Sequence, residues 1–220
     1  MRLVAEHLAC TRGARPLFRD LGFVLEAGVA LIVTGPNGTG KSSLLRLLAG
    51  LAAPTAGTVR LEGAGVEPDA PVAEQAHYLG HLDAHKAALS AAENLGFWRA
   101  LMGRPRLGIE QALARVGLGG LGPLPVAVLS AGQKRRLALA RLLVAHRPLW
   151  LLDEPTTALD VAAQARFAEI AQGHLDAGGL IVAATHAPLG LSPARELRLG
   201  APAAPRTGEA AVGEMDGSAR

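Results

Sequence analysis

Apolar and polar positions alternate over residues 2–8 and 21–26, which predicts two strands, and the turn-prone Thr11-Arg-Gly-Ala-Arg-Pro16 between them predicts an antiparallel start. Val29-Ala-Leu-Ile-Val-Thr34 is a short β-branched run that reads as a strand. Ser43-Leu-Leu-Arg-Leu-Leu-Ala-Gly50 then repeats apolar residues at helical spacing. Gly57 to Glu62 reads as a strand, 63–75 as an Ala/Gly/Pro-rich loop, and His77 to Gly80 as a return to the sheet. From about 84 to 127 the pattern is helical, over Ala91–Leu101 and Ile109–Val116, with no strand pattern between. Leu129-Ser-Ala-Gly-Gln133 opens a further helix to about Ala145, with Ser130 as its natural N-cap and Pro148 marking its end. Leu149-Trp-Leu-Leu152 is unbroken apolar sequence ending in Asp153-Glu154, as a strand buried on both faces would look when it delivers acids at its C-terminal end. Residues 161–177 read as helix, 179–185 as strand and 196–199 as a last short strand. The pattern predicts an α/β fold: a mixed sheet core with an antiparallel N-terminal part, and a helical subdomain inserted at about 84–146 within one domain, 1–200. The Ala/Pro/Gly-rich stretch 201–220 reads as a disordered tail.

Candidate chemistry sharpens this outline at Gly35-Pro-Asn-Gly-Thr-Gly-Lys41-Ser42, which matches Gly-x-x-x-x-Gly-Lys-Ser between a predicted strand and a predicted helix. Glycines there let backbone N–H groups turn inward at a helix N-terminus, a nest suited to phosphate oxygens. Lys41 would reach the β- and γ-phosphates and the Ser42 hydroxyl would ligate Mg²⁺. The chain has three lysines, Lys41, Lys86 and Lys134, and otherwise uses arginine, so a compact ammonium at this position is itself informative. About a hundred residues on, Asp153 would hold the Mg²⁺ that bridges the β- and γ-phosphates, and Glu154 would polarise an attacking water.

Composition adds limits. Half of the 220 residues are apolar, enough for a sizeable core. The net charge of +3 is spread along the chain. Its one basic run, Lys134-Arg135-Arg136, reads as a solvated helix face, not a nucleic-acid patch. One cysteine, Cys10, allows no internal disulfide, and the N-terminus lacks the apolar core of a signal peptide. No apolar run reaches the roughly 18 residues a membrane helix needs. These features place the chain in the cytoplasm, with any membrane role exercised through a partner. No internal repeat is visible, so one nucleotide site is expected.

Taken together, the motifs resemble the ATP-binding cassette family over residues 1 to about 200: the P-loop, Leu129-Ser-Ala-Gly-Gln133 as the signature, Leu149 to Glu154 as Walker B, Ala158-Leu-Asp160 as the D-loop, and Thr185-His186 as the switch histidine. The resemblance implies a P-loop NTPase nucleotide-binding domain that hydrolyses ATP with Mg²⁺. ATP would be bound by Gly35, Pro36, Asn37, Gly38, Thr39, Gly40, Lys41, Ser42 and Ser43, and the metal by Ser42 and Asp153. Catalysis would fall to Glu154 and His186. Ser130, Ala131, Gly132 and Gln133 would contact the nucleotide of a second copy, closing a homodimer over two ATPs with Asp160 in the D-loop. A serine-capped helix end lined by small residues is a second anion site, which a two-fold sandwich would use.

Three positions depart from the family pattern. Ala131 replaces a glycine, and its methyl leaves somewhat less room. His81 stands where a glutamine is usual and takes its candidate catalytic place. The adenine-stacking aromatic expected near residue 12 is missing, leaving Arg12 or Arg15 as candidates, since a guanidinium plane stacks on a base. Tyr78-Leu-Gly-His-Leu-Asp83, Glu93-Asn-Leu-Gly-Phe-Trp98 and Cys10-Thr-Arg-Gly13 resemble more narrowly the ATP-binding subunits of cytochrome c maturation systems, described as haem exporter ATPases. That resemblance implies a peripheral subunit on the cytoplasmic face of a bacterial inner membrane, bound to integral-membrane permease subunits. Residues 82–98, with Asp83 and Lys86 exposed, would face that partner, while Phe97 and Trp98 read as subdomain core. His7, His77, His81 and His85 form no ligand pattern, so no haem is expected on this chain. The alternatives are the ATPase of another transporter, a soluble cassette acting on DNA or ribosomes, and a slowly hydrolysing regulatory module.

Overall fold

The computed structural model describes residues 1–67 and 69–200; the expected tail, 201–220, lies outside them. Two long strands, β1 (Arg2–Arg12) and β2 (Arg15–Glu26), pair antiparallel, and β4 (Ala56–Glu62) joins the other side of β1 in the order β2-β1-β4. Both strands outrun the alternation that marked them. The cause is a bulge: register slips between Ala5 and Leu8, where His7 has φ +50° and the opposing Asp20 has φ +51°. One extra residue resets which side chains face inward, so the two-residue period breaks at Glu6-His7 while pairing continues.

The second sheet is wholly parallel, in the order β5-β6-β7-β3-β8, from β3 (Ala30–Thr34), β5 (Ala76–Leu79), β6 (Leu149–Asp153), β7 (Leu180–Ala184) and β8 (Ala194–Arg198). The mixed sheet of the sequence reading is thus two sheets, one antiparallel and one parallel. Every residue of β6 and β7 is buried, because helices and the antiparallel sheet cover the two faces. Leu149, Leu151, Leu180 and Val182 enter a core shared with α1 (Lys41–Leu48) and the antiparallel sheet. Trp150, Leu152 and Ile181 enter the opposite core, built with α2 (Ala91–Met102), α3 (Ile109–Arg115), α4 (Ala131–Val144) and α5 (Val161–Asp176).

Helix starts follow the capping rules. Ser90 and Ser130 each form a reciprocal capping box, with Glu93 and Gln133 respectively. The polar positions of α4 hold the surprise: Arg135 and Arg141 are each only 4% exposed. The solvated-face reading of 134–136 therefore fails at Arg135, whose side chain points into the protein. Arg141 donates to the Tyr78 carbonyl at 2.6 Å and lies 4.3 Å over the ring of Trp98, and burial pulls its pKa down to about 10. Phe97 is 41% exposed, which overturns its assignment to the core, and Trp98 is half-buried beneath Arg141. His77 is fully buried, its Nε2 bonded to the Ala145 carbonyl, so it is structural.

Candidate nucleotide site

The loop from β3 to α1 depends on glycine at two positions where another chain segment crowds it. Gly35 has φ +132°, and a Cβ there would lie 2.3 Å from the carbonyl oxygen of Leu199. Leu199 is held over the loop by its N–H, which donates to the Thr34 carbonyl at 2.9 Å. Gly40 has φ +104°, and a Cβ there would meet the Leu17 Cβ at 3.0 Å and the ring of Phe18 at 3.2 Å. Gly40 is also the N-cap of α1, so that helix begins with no side-chain cap and no acid in its first turn. Its leading N–H groups are left for an anion.

An open cleft of about 260 Å³ lies above this loop, at the carboxyl ends of the parallel strands. Asn37, Gly38, Gly40, Lys41, Ser42 and Ser43 line one side; Asp153, Glu154, His186 and His81 line the other. Four of the five parallel strands lead into it: β3 to the loop, β5 to His81, β6 to the two acids, and β7 to His186. Gly35, Pro36 and Thr39, also expected to bind ATP, belong to the loop but do not line the cleft. The Lys41 ammonium donates to the carbonyls of Gly35 at 2.6 Å and Pro36 at 3.3 Å, and the Thr39 hydroxyl also donates to the Pro36 carbonyl.

His186 Nε2 lies 3.1 Å from Lys41 Nζ and 3.9 Å from Glu154 Oε1. An ammonium has only protons to give, so in this contact Nε2 is the acceptor. The gap to Glu154 exceeds hydrogen-bond length. Glu154 sits just past the end of β6 with φ +46°, its N–H donating to the Ala184 carbonyl at 2.8 Å. This left-handed bend swings its side chain toward the cleft, where it is part-exposed, while Asp153 beside it stays 5% exposed. The site thus holds a buried carboxylate, a second carboxylate open to water, an ammonium and a row of inward N–H groups. That set can bind a polyphosphate and activate water beside it.

The structure separates the two adenine candidates: Arg12 lines the cleft, and Arg15, its partner across the hairpin, does not. Leu17 lines it too, a contact with no signal in the sequence. Ser130, Ala131, Gly132 and Gln133 lie outside this cleft at the start of α4. The Ser130 Oγ accepts from the Gln133 N–H at 3.2 Å, while Gln133 Oε1 accepts from the Ser130 N–H at 2.8 Å. Of the small residues, Gly132 is the crowded one, since a Cβ there would lie 3.0 Å from the Ala158 carbonyl; Ala131 is exposed. Asp160 caps α5 by accepting from the Ala163 N–H at 2.7 Å. Asp83, expected to stand free on the surface, is part-buried and paired with Arg135 at 2.7 Å.

Residues 18–157, which run from within β2 through the P-loop to just beyond β6, match the ABC transporter family. The chain belongs to that family. It is an ABC-type ATPase. The cassette is 56% identical over 203 residues to the cytochrome c biogenesis ATP-binding export protein CcmA of Rhodopseudomonas palustris (strain BisB5), covering 92% of this chain and all of that one. The protein of the same name in Nitrobacter winogradskyi is 57% identical over 200 residues, covering 91% and 98%. Among solved structures, the cassette's fold is like that of a putative ABC transporter ATP-binding protein from Pyrococcus furiosus, with TM-score 0.75 and 22% identity over 90% of this chain and 98% of the other. It is also like a dimeric ATP-binding cassette in a post-hydrolysis state bound to ADP and Pi, with TM-score 0.70 and 21% identity over 84% and 88% of the two chains.

Proposed function

We propose that this cassette is the ATP-hydrolysing subunit of a membrane complex serving cytochrome c biogenesis, and that it works as a homodimer closed over two ATPs. The observation that carries the reading is identity above half with proteins of that name over nine-tenths of the chain. Among the described residues no helix is long and apolar enough to cross a membrane, so attachment falls to an integral-membrane partner. Leu82, 82% exposed, and Phe97 give the segment 82–98 an apolar surface for that partner, with Lys86 lying 4.2 Å over the Phe97 ring.

ATP would bind with its phosphates on the N–H groups of the P-loop. Lys41 would exchange the Gly35 and Pro36 carbonyls for phosphate oxygens. Ser42 and Asp153 offer the hard oxygen donors that Mg²⁺ prefers, and that ion, when bound, would neutralise charge developing on the phosphates. Glu154 would take the proton of the attacking water. The imidazole of His186 lies within 4 Å of both Lys41 and Glu154, where it would orient the γ-phosphate end. His81 would face the same water or ion. Signature residues Ser130 to Gln133, lying outside their own cleft, would complete the partner's site, with Asp160 holding the D-loop beside them.

Two measurements test this. Lys41→Ala should abolish tight Mg-ATP binding, whereas Glu154→Gln should keep binding and slow turnover by about 10²- to 10⁴-fold, the range of general-base assistance. A Glu154→Gln protein with full turnover would refute that role. Purification from solubilised membranes should recover integral-membrane proteins, and Lys86→Glu should weaken that recovery with ATP binding intact. Recovery of ribosomes or nucleic acid instead would overturn the membrane assignment.

A further inference from the structure

Arg135 has no place in the nucleotide cleft, yet it spends all of its hydrogen-bonding capacity on the cleft's far wall. A guanidinium has five N–H donors in a planar fork, and here five acceptors meet it. Nε donates to the Pro155 carbonyl at 3.1 Å. Nη1 donates to the Gly80 carbonyl at 3.1 Å and to Asp83 Oδ1 at 2.7 Å. Nη2 donates to the carbonyls of Asp153 at 2.9 Å and Glu154 at 2.6 Å.

The choice of acceptors is what gives this arrangement meaning. Gly80 and Asp83 flank His81, so one nitrogen fixes that loop on both sides of the residue that faces the cleft. Asp153, Glu154 and Pro155 are consecutive, so the other two nitrogens hold the backbone through the bend at Glu154, where φ is +46°. A left-handed conformation at a non-glycine residue is costly and persists only where its surroundings over-determine it. Arg135 is also five residues beyond Ser130 on α4, so the helix that begins with the signature carries this clamp in its second turn.

We propose that Arg135 is a positioning residue for ATP hydrolysis, which holds Glu154 and His81 at their working places and ties them to the helix bearing the signature. The proposal rests on the reading of Glu154 as the residue that activates water. Because Arg135 touches none of the P-loop, its effect falls on turnover and spares nucleotide affinity. Lysine at 135 keeps the charge and most of the stem but replaces the fork by a point donor with three protons, too few and too close together to reach all three segments.

The test uses the full chain. Arg135→Lys is expected to lower kcat at least about ten-fold while KM and the Kd for ATP stay within about three-fold. Combined with Glu154→Gln the loss should fall short of the product of the two single losses, because what Arg135 does through Glu154 is already gone and only its hold on the His81 side remains. Unchanged kcat, an equal loss in ATP affinity, or losses that multiply with those of Glu154→Gln would each overturn the proposal. Where Arg135→Lys does not fold, Asp83→Asn decides: it removes the charge from the His81 side alone and should lower kcat by about three-fold with ATP affinity unchanged, and full kcat overturns the proposal. Failure of the Glu154 reading is separately visible, since Glu154→Gln alone would then retain turnover.

Discussion

Glycines in one loop differ sharply in what they are for. At Gly35 a methyl would meet the Leu199 carbonyl backbone to backbone, whereas at Gly38, with φ +80°, nothing lies within 4 Å. Gly35→Ala should therefore combine positive-φ strain, about 1–3 kcal/mol, with displacement of Leu199 just beyond β8. Gly38→Ala should show the strain alone. Denaturation midpoints for the two variants, with nucleotide binding measured alongside, should rank Gly35→Ala as the more damaging in both; equal losses would mean that the Leu199 contact yields freely. The P-loop was legible in sequence because its chemistry needs contiguous residues. Arg135 was not, because its acceptors come from residues 80, 83 and 153–155 and only the fold assembles them. A basic run at a helix start looks the same whether its middle residue faces water or carbonyls.

Caps and bulges decided how well whole elements could be read. The start of α4 was plain because Ser130 and Gln133 stand at capping-box spacing. The true length of β1 was hidden by the extra residue at His7, which breaks the alternation without ending the strand. The cap also separates two roles of one residue. Ser130→Ala should cost about 1 kcal/mol through loss of the bond from the Gln133 N–H. Ser130→Phe in the Glu154→Gln protein should in addition prevent ATP-dependent dimerisation, with monomer ATP binding intact because Ser130 lies outside its own cleft. Light scattering under saturating ATP reads this directly, and a dimer of undiminished stability would remove the signature from the interface.

At the scale of the molecule, the parallel sheet divides two cores, and buried histidines make one of them sensitive to acid. Burial holds the His77 pKa down to about 3 and that of His174 to about 4, from an ordinary 6.5. Both rings are therefore neutral in the folded chain, while the unfolded chain takes up protons below about 6.5. Their contribution is complete above that pH and is lost progressively as pH falls toward 4 and 3, at up to about 1.4 kcal/mol per pH unit for each ring. His174→Phe, which keeps the stacking on Trp150, should flatten the fall in urea midpoint between pH 7.5 and 5.5; an unchanged slope would mean that His174 is exempt. The two tryptophans sit in contrasting surroundings as well, Trp150 sealed between the sheet and His174 at a centroid distance of 4.0 Å, and Trp98 half-open beneath Arg141 on α2. The chain thus carries two tryptophan fluorophores, one in the parallel sheet and one on the helices that would meet a partner. Trp98→Phe leaves the first shining alone, so the difference between the two emission spectra becomes a label-free optical gauge of motion in α2 during each turnover.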